Sequence, residues 1–155
     1  MTIATNCYLE QDGKYLMLYR NKKKNDMHEG YWVVPGGKLE PGETPEECVI
    51  REFYEESGLT LIDPALKGVL TFPDDGLSGG WLVFLFHAAE AAGELKPCDE
   101  GELEWVEKDK LNDLRMHGGD YHFIKLMQDC KGVFSAKLDY DGKEFKKMTL
   151  MGEYP

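Results

Sequence analysis

Three things are scarce in this sequence, and each shortage excludes a class of protein. No run of about 20 apolar residues, the length that spans a bilayer, occurs in the 155 residues. The opening MTIATNCYLE also lacks the basic and then apolar character of an export signal. A cytoplasmic protein with no membrane partner is expected. Basic residues are few: 18 Lys and Arg stand against 29 Asp and Glu, a net charge of −11. Polyanion binding needs clustered cations, so a long nucleic acid is not an expected ligand. The one basic run, Arg20 to Lys24, reads as a solvated turn between strands. Cysteine is limited to Cys7, Cys48, Cys98 and Cys130, without a C-x-x-C pair. That argues against a zinc knot or a disulfide framework and makes them reduced, small core residues.

What is present suffices for one core. Hydrophobic residues make up 42% and aromatics 12% of the chain, and no repeat, low-complexity tract or long linker divides it. Residues 1–155 are therefore expected to form a single mixed α/β domain, with one or two sheets covered by helices. Two strand-like runs, ATNCYLE and KYLMLYR, flank Asp12-Gly13, a hairpin signal. YWVVP at 31–35 reads as a short strand that Gly36-Gly37 break. Strands are expected around LKGVLTF, WLVFLFHAA and LEWVE, and helical segments near DKLNDL and GGDYHFIKLMQDC. The ending reads as a second hairpin about Asp141-Gly142.

One helix is marked at both ends. Thr44 stands as N-cap, Pro45 at the first helical position, and Glu47 three residues after the cap to close a capping box. Gly58 marks the end. Val49, Ile50 and Phe53 share one side and can pack on a sheet. Glu52, Glu55 and Glu56, three or four residues apart, lie on another. Three clustered carboxylates repel one another and raise each other's pKa unless a cation compensates them. Oxygen-only ligation of this kind suits Mg²⁺, with Mn²⁺ a substitute, better than Zn²⁺.

Written out, GKLEPGETPEECVIREFYEESGL at 37–59 satisfies every position of G-x5-E-x7-R-E-U-x-E-E-x-G-U, where U is bulky and apolar. Seven fixed residues and two apolar positions arise by chance in a chain of this size with odds of about 10⁻⁷, so accident is no explanation. The motif resembles the signature of the Nudix hydrolases, with Phe53 where that family more often carries an aliphatic residue. The resemblance implies the Nudix fold, an α/β/α sandwich with a loop-helix motif, and a metal-dependent cleavage of a nucleoside-diphosphate-type pyrophosphate bond. It further implies that the Gly37 carbonyl and the carboxylates of Glu52, Glu55 and Glu56 hold Mg²⁺ against the pyrophosphate, while Arg51 orients the acids. Glu43 would support the helix, through a salt bridge to Arg51 or as a neighbour of the metal ligands. On this resemblance the metals would neutralise phosphate charge and make a bound water more acidic and aligned, and a carboxylate would take its proton. In CDEGELEW, Glu100 stands where MutT-type enzymes carry an additional acid before a Trp-containing strand, which makes it a further catalytic and metal-binding candidate.

Beyond the box, the order of segments is similar to MutT and the animal oxidised-purine triphosphatases. A small nucleotide such as 8-oxo-dGTP is the implied substrate, split to a nucleoside monophosphate and pyrophosphate by a monomer or homodimer. The places where the animal enzymes read the purine match Val33, His117, Gly119 and Asp120, so one acid of their pair is kept. Trp32, Phe72, Tyr121 and Phe123 are aromatic candidates for stacking on a base, and Trp32, Phe72, His117 and Asp120 form the expected substrate site. An ADP-ribose or nucleoside-diphosphosugar pyrophosphatase is a second reading, for which Pro73 is the cue. A triphosphorylated RNA end is a further possible substrate. A non-catalytic nucleotide-binding regulator is the reading from another class, against which the intact acids speak.

Overall fold

The computed structural model describes all of residues 1–155. Strands β1 (Thr2–Gln11) and β2 (Lys14–Tyr19) form the expected opening hairpin, with Glu10 opposite Tyr15. Asp12 and Gly13 both take left-handed angles, φ 53° and 74°, the turn whose twist matches that of paired strands. β3 (Trp32–Val33) is shorter than expected, and the glycines after it do not end the extended chain. Instead β4 (Gly36–Lys38) pairs antiparallel with β1, Gly37 opposite Thr5 and Gly36 opposite Asn6. A side chain at Gly36 would collide with the Thr5 carbonyl. Glycine therefore permits the strand here by letting two backbones close up.

Helix α1 (Pro45–Ser57) has the expected caps: Thr44 Oγ1 accepts from Glu47 N–H at 3.1 Å, the Glu47 carboxylate accepts from Thr44 N–H at 3.0 Å, and Gly58 is left-handed at φ 79°. β5 (Leu59–Ile62) follows at once and pairs with β8 (Glu90–Gly93) as a separate two-stranded sheet, which the sequence reading did not separate out. β6 (Ala65–Phe72) and β7 (Trp81–Ala88) correspond to the two expected strands, and β9 (Glu102–Glu107) to LEWVE. The segment near DKLNDL is a 3₁₀ turn, Lys108–Asp113, and α2 (Asp120–Asp129) is a true α-helix. β10 (Val133–Asp141) and β11 (Glu144–Tyr154) close the chain as a hairpin.

The main sheet runs β11-β10-β6-β7-β1-β2-β3, with β4 also on β1 and β9 on β2. Its β1–β7 and β10–β6 pairs are parallel and the others antiparallel, so the sheet is mixed. Alternation along β1 divides the interior. Cys7 and Leu9 join Val49 and Phe53 of α1 and Phe86 and Ala88 of β7 in one core. Ala4 and Tyr8 join Phe123, Ile124 and Met127 of α2 and Phe134 and Leu138 of β10 in a larger one. Burying Val49 and Phe53 completely is worth about 1.5–3 kcal/mol each, which fixes the rotation of α1 and hence the direction of its acids. No helix is long and apolar enough to cross a membrane.

Candidate active site

Arg51 is the hub of the charged face of α1. Its Nε and Nη2 form a fork on Glu43, at 2.6 Å to Oε2 and 2.9 Å to Oε1. Nη1 reaches Glu52 Oε1 at 2.8 Å and Glu55 Oε2 at 3.3 Å, and Nη2 also donates to the Lys38 carbonyl at 3.2 Å. Paired with Arg51 and accepting from Glu40 N–H, Glu43 has its carboxyl pulled down to about 2. Glu43 thus ties the loop to the helix through a bidentate ion pair, the geometry at which arginine excels.

The other acids crowd together behind this fork. Glu56 points inward and accepts from Gly36 N–H at 2.8 Å. Burial, then the charge of Glu100 and the contact of the two carboxyls, push Glu56 up to about 9. Glu52 is raised as well, by burial first and also by Glu55 and Glu100. Gly37 lies directly against the Glu52 carboxyl, where a Cβ would overlap it. Its carbonyl accepts from Cys48 Sγ at 3.5 Å, and Cys48 Sγ is in turn 3.3 Å from Thr5 Oγ1. As the side chains stand, no three of them converge on one point, because Arg51 draws Glu52 and Glu55 aside and Gly36 holds Glu56. Yet Glu100 disfavours ionisation of both Glu52 and Glu56, and Glu52 that of Glu56, in an all-oxygen cluster. A hard divalent cation relieves such a cluster, so the residues present fit Mg²⁺ or Mn²⁺.

On the opposite face of the sheet the structure places the remaining sequence-derived residues. The carboxyl of Asp120 is hemmed in by protein although solvent still touches the residue, and burial alone pushes it up to about 8. Tyr8 and Tyr140 stand close enough for its charge to raise their own hydroxyl pKa values, after the larger effect of burial. Tyr140 Oη accepts from Gly119 N–H at 2.7 Å and its ring lies 6.2 Å from Phe72. Trp32 packs at 5.1 Å on Tyr19. His117 shares a 2.8 Å hydrogen bond with His28 and stacks on Tyr31 at 4.2 Å. Burial, with His28, Lys143 and Arg115 nearby, lowers it to about 4, so it is neutral at pH 7. Two of the aromatic candidates serve the fold instead. Phe123 is core, while the Tyr121 hydroxyl donates to the Leu114 carbonyl and accepts from Met116 N–H.

Sequence reasoning passed over Tyr8, Tyr31, Tyr140, His28 and Arg20. Tyr8 was discoverable from the alternation of β1, since Tyr8 and Ala4 share a parity opposite to Cys7 and Leu9. The others arrive from elements distant in sequence and carry no local signal. Of the cysteines, Cys7, Cys48 and Cys98 are buried and Cys130 is half-buried, all unpaired.

Comparison with known proteins gives a consistent result. Residues 2–127 match the model of the NUDIX domain. The Nudix hydrolase YvcI of Bacillus subtilis is 36% identical over 88% of this chain and 85% of its own length. An ADP-ribose pyrophosphatase of Methanocaldococcus jannaschii is 36% identical over 70% of this chain and 63% of its own. The oxidized purine nucleoside triphosphate hydrolase of Danio rerio is 33% identical over 83% and 81%. Among solved structures, the MutT protein of Bacillus halodurans superposes with a TM-score of 0.85 at 33% identity, covering 97% of both chains.

Proposed function

We propose a specific reaction from one premise: the chain belongs to the NUDIX family and is a hydrolase of pyrophosphate bonds. Its substrate on this reading is a nucleoside triphosphate, an oxidised purine such as 8-oxo-dGTP among them. Water forms a bond to phosphorus, the bridging P–O bond breaks, and a nucleoside monophosphate and pyrophosphate are released. The observation that carries the reading is the crowding of the Glu52, Glu56 and Glu100 carboxyls beside the side-chain-free Gly37, with Glu52 and Glu56 both raised.

The Gly37 carbonyl and the carboxylates of Glu52, Glu55, Glu56 and Glu100 are the proposed holders of Mg²⁺, with Mn²⁺ a substitute. When bound, the cations supply neutralisation of phosphate charge and a more acidic water. The chain's own residues do the rest. Arg51, braced by Glu43, gathers Glu52 and Glu55 on one nitrogen and keeps them oriented until the substrate arrives. A carboxylate of the cluster accepts the proton that the attacking water loses. Asp120, His117, Phe72 and Trp32 are the proposed contacts to the nucleoside. At pH 7 the Asp120 carboxyl is held mainly neutral, so it offers a base edge one donor and one acceptor rather than a charge.

The whole of residues 1–155 acts as one unit on this reading, since the hairpin β10–β11 lies outside the family match yet supplies Tyr140, whose hydroxyl accepts from Gly119 N–H beside Asp120. A cytoplasmic location, with a monomer or homodimer as the working form, goes with it. The archaeal relative's name favours one second reading, cleavage of ADP-ribose. A panel of 8-oxo-dGTP, dGTP, other triphosphates and ADP-ribose, assayed with and without Mg²⁺ with products identified, separates the two. Preference for ADP-ribose at matched concentration overturns the triphosphate assignment, and turnover without a divalent cation overturns the metal assignment.

A further inference from the structure

The run Arg20 to Lys24 reads in sequence as a solvated turn. Lys22, Lys23 and Lys24 are indeed exposed, but Arg20 is not: its side chain is 13% exposed. We propose that Arg20 is a positioning residue that fixes Glu100 against the acids of α1. This inference rests on the role given to Glu100 above.

Arg20 follows β2 and closes the loop that returns to β3. Its N–H donates to the Tyr31 carbonyl at 3.0 Å and its own carbonyl accepts from Gly30 N–H at 2.8 Å, so both arms of the loop meet at this residue. The guanidinium divides its donors. Nε and Nη2 both reach Asp26 Oδ2, at 2.8 and 2.7 Å, while Nη1 reaches Glu100 Oε2 at 3.1 Å. Asp26 is itself 10% exposed. The Glu100 loop is tied to the same place a second time, by Lys22 N–H on the Glu100 carbonyl at 3.4 Å and by Lys22 Nζ on the Cys98 carbonyl at 2.9 Å.

The physical need for such a clamp is clear from the neighbours. Glu100 has a third of its side chain in solvent. Hydration draws it outward, away from the cluster, the more so whenever the neighbouring Glu56 carboxyl is ionised. A lone cation could hold it in, but its field would oppose a divalent cation held by the same acids. Paired with Asp26, Arg20 carries no net charge to that site while keeping one directed donor for Glu100. Lysine has no fork to divide between two acids.

The test is a double-mutant cycle read in two ways. Arg20→Met, Arg20→Lys, Glu100→Gln and the Arg20→Met/Glu100→Gln pair are compared for kcat and KM with Mg²⁺ and a nucleoside triphosphate. Calorimetry measures Mn²⁺ binding to each without nucleotide. Arg20→Met should lower kcat about tenfold with KM changed less than about twofold, and weaken Mn²⁺ binding about tenfold, the lower end of the usual range for a residue that orients a ligand. Arg20→Lys should recover only part of either. In the Glu100→Gln background the further loss should vanish, because the residue through which Arg20 acts is already disabled. Equal losses in both backgrounds, or wild-type behaviour of Arg20→Met, overturn the proposal. Should Arg20→Met fail to fold, Asp26→Asn, which leaves the guanidinium uncompensated, reads the same coupling to Glu100. If the wild-type protein cleaves no triphosphate, the reaction proposed above fails, while the Mn²⁺ arm of the cycle still decides the role of Arg20.

Discussion

Asp120→Asn should make the protein more stable at neutral pH and leave its stability unchanged in acid. In the folded chain the carboxyl is held at about 8, against an ordinary 3.8. The folded state therefore keeps a proton at pH 7 that the unfolded chain has given up. A raised acid of this kind favours folding relative to its ionised form below pH 4, and that advantage is lost as the pH climbs toward 8. At about 1.4 kcal/mol for each pH unit of the gap, the whole handicap at pH 7 is about 4 kcal/mol. Solvent contact on one side of the residue reduces it to about 1–3 kcal/mol. The amide never ionises and escapes the handicap. For a chain of this length that corresponds to a rise in Tm of about 3–9 °C at pH 7. Thermal unfolding of both proteins from pH 4 to pH 8 is the assay, and the two Tm curves should meet near pH 4 and diverge steadily above it. A constant offset, or a less stable Asn variant at pH 7, refutes the reasoning that the carboxyl is confined without a partner. Loss of turnover alongside gained stability would mark Asp120 as a residue kept for its ligand.

Three further outcomes follow from the same geometry. Mn²⁺ at a hundredfold excess over its Kd should stabilise the wild-type protein by about 2.7 kcal/mol in a thermal shift assay; Glu56→Gln should abolish that rise without lowering the metal-free Tm, and a retained rise removes Glu56 from the metal site. Gly37→Ala pushes a methyl into the Glu52 carboxyl, so kcat should drop about a hundredfold, as small displacements at reacting centres do, while Tm moves little because a side-chain end can yield. Thr44→Ala deletes half of the capping box and should lower stability by about 1 kcal/mol, seen as a Tm lower by about 2–4 °C; an unchanged Tm means the loop, not the cap, holds the start of α1.

The parts of the molecule written in local chemistry were legible. Asp12-Gly13, Asp141-Gly142, Thr44, Glu47 and Gly58 each act on their immediate neighbours, and the structure carries them as hairpins and caps. The acids of α1 were legible because helical spacing alone sets their common face. What failed to show depends on partners far along the chain. Gly36-Gly37 carry the mark of a break, yet β1 accepts them as a strand because bare backbone can approach it closely. The parallel union of β1 with β7, and of β6 with β10, leaves no trace in either strand. The segment 108–113 has helical composition, but as a short connector from β9 it tightens into a 3₁₀ turn. Arg20 looked solvated because its partners, Asp26 and Glu100, come from one loop close at hand and another 80 positions away.

The parity of β1 has a consequence for how such a chain can change over generations. Thr5 and Cys7 look toward α1 and its acids, whereas Ala4 and Tyr8 look toward α2 and the surroundings of Asp120. One strand thus serves two masters without sharing a side chain between them. Replacements on the α2 side can therefore accumulate without disturbing the packing of α1, and the two halves of the molecule can change separately.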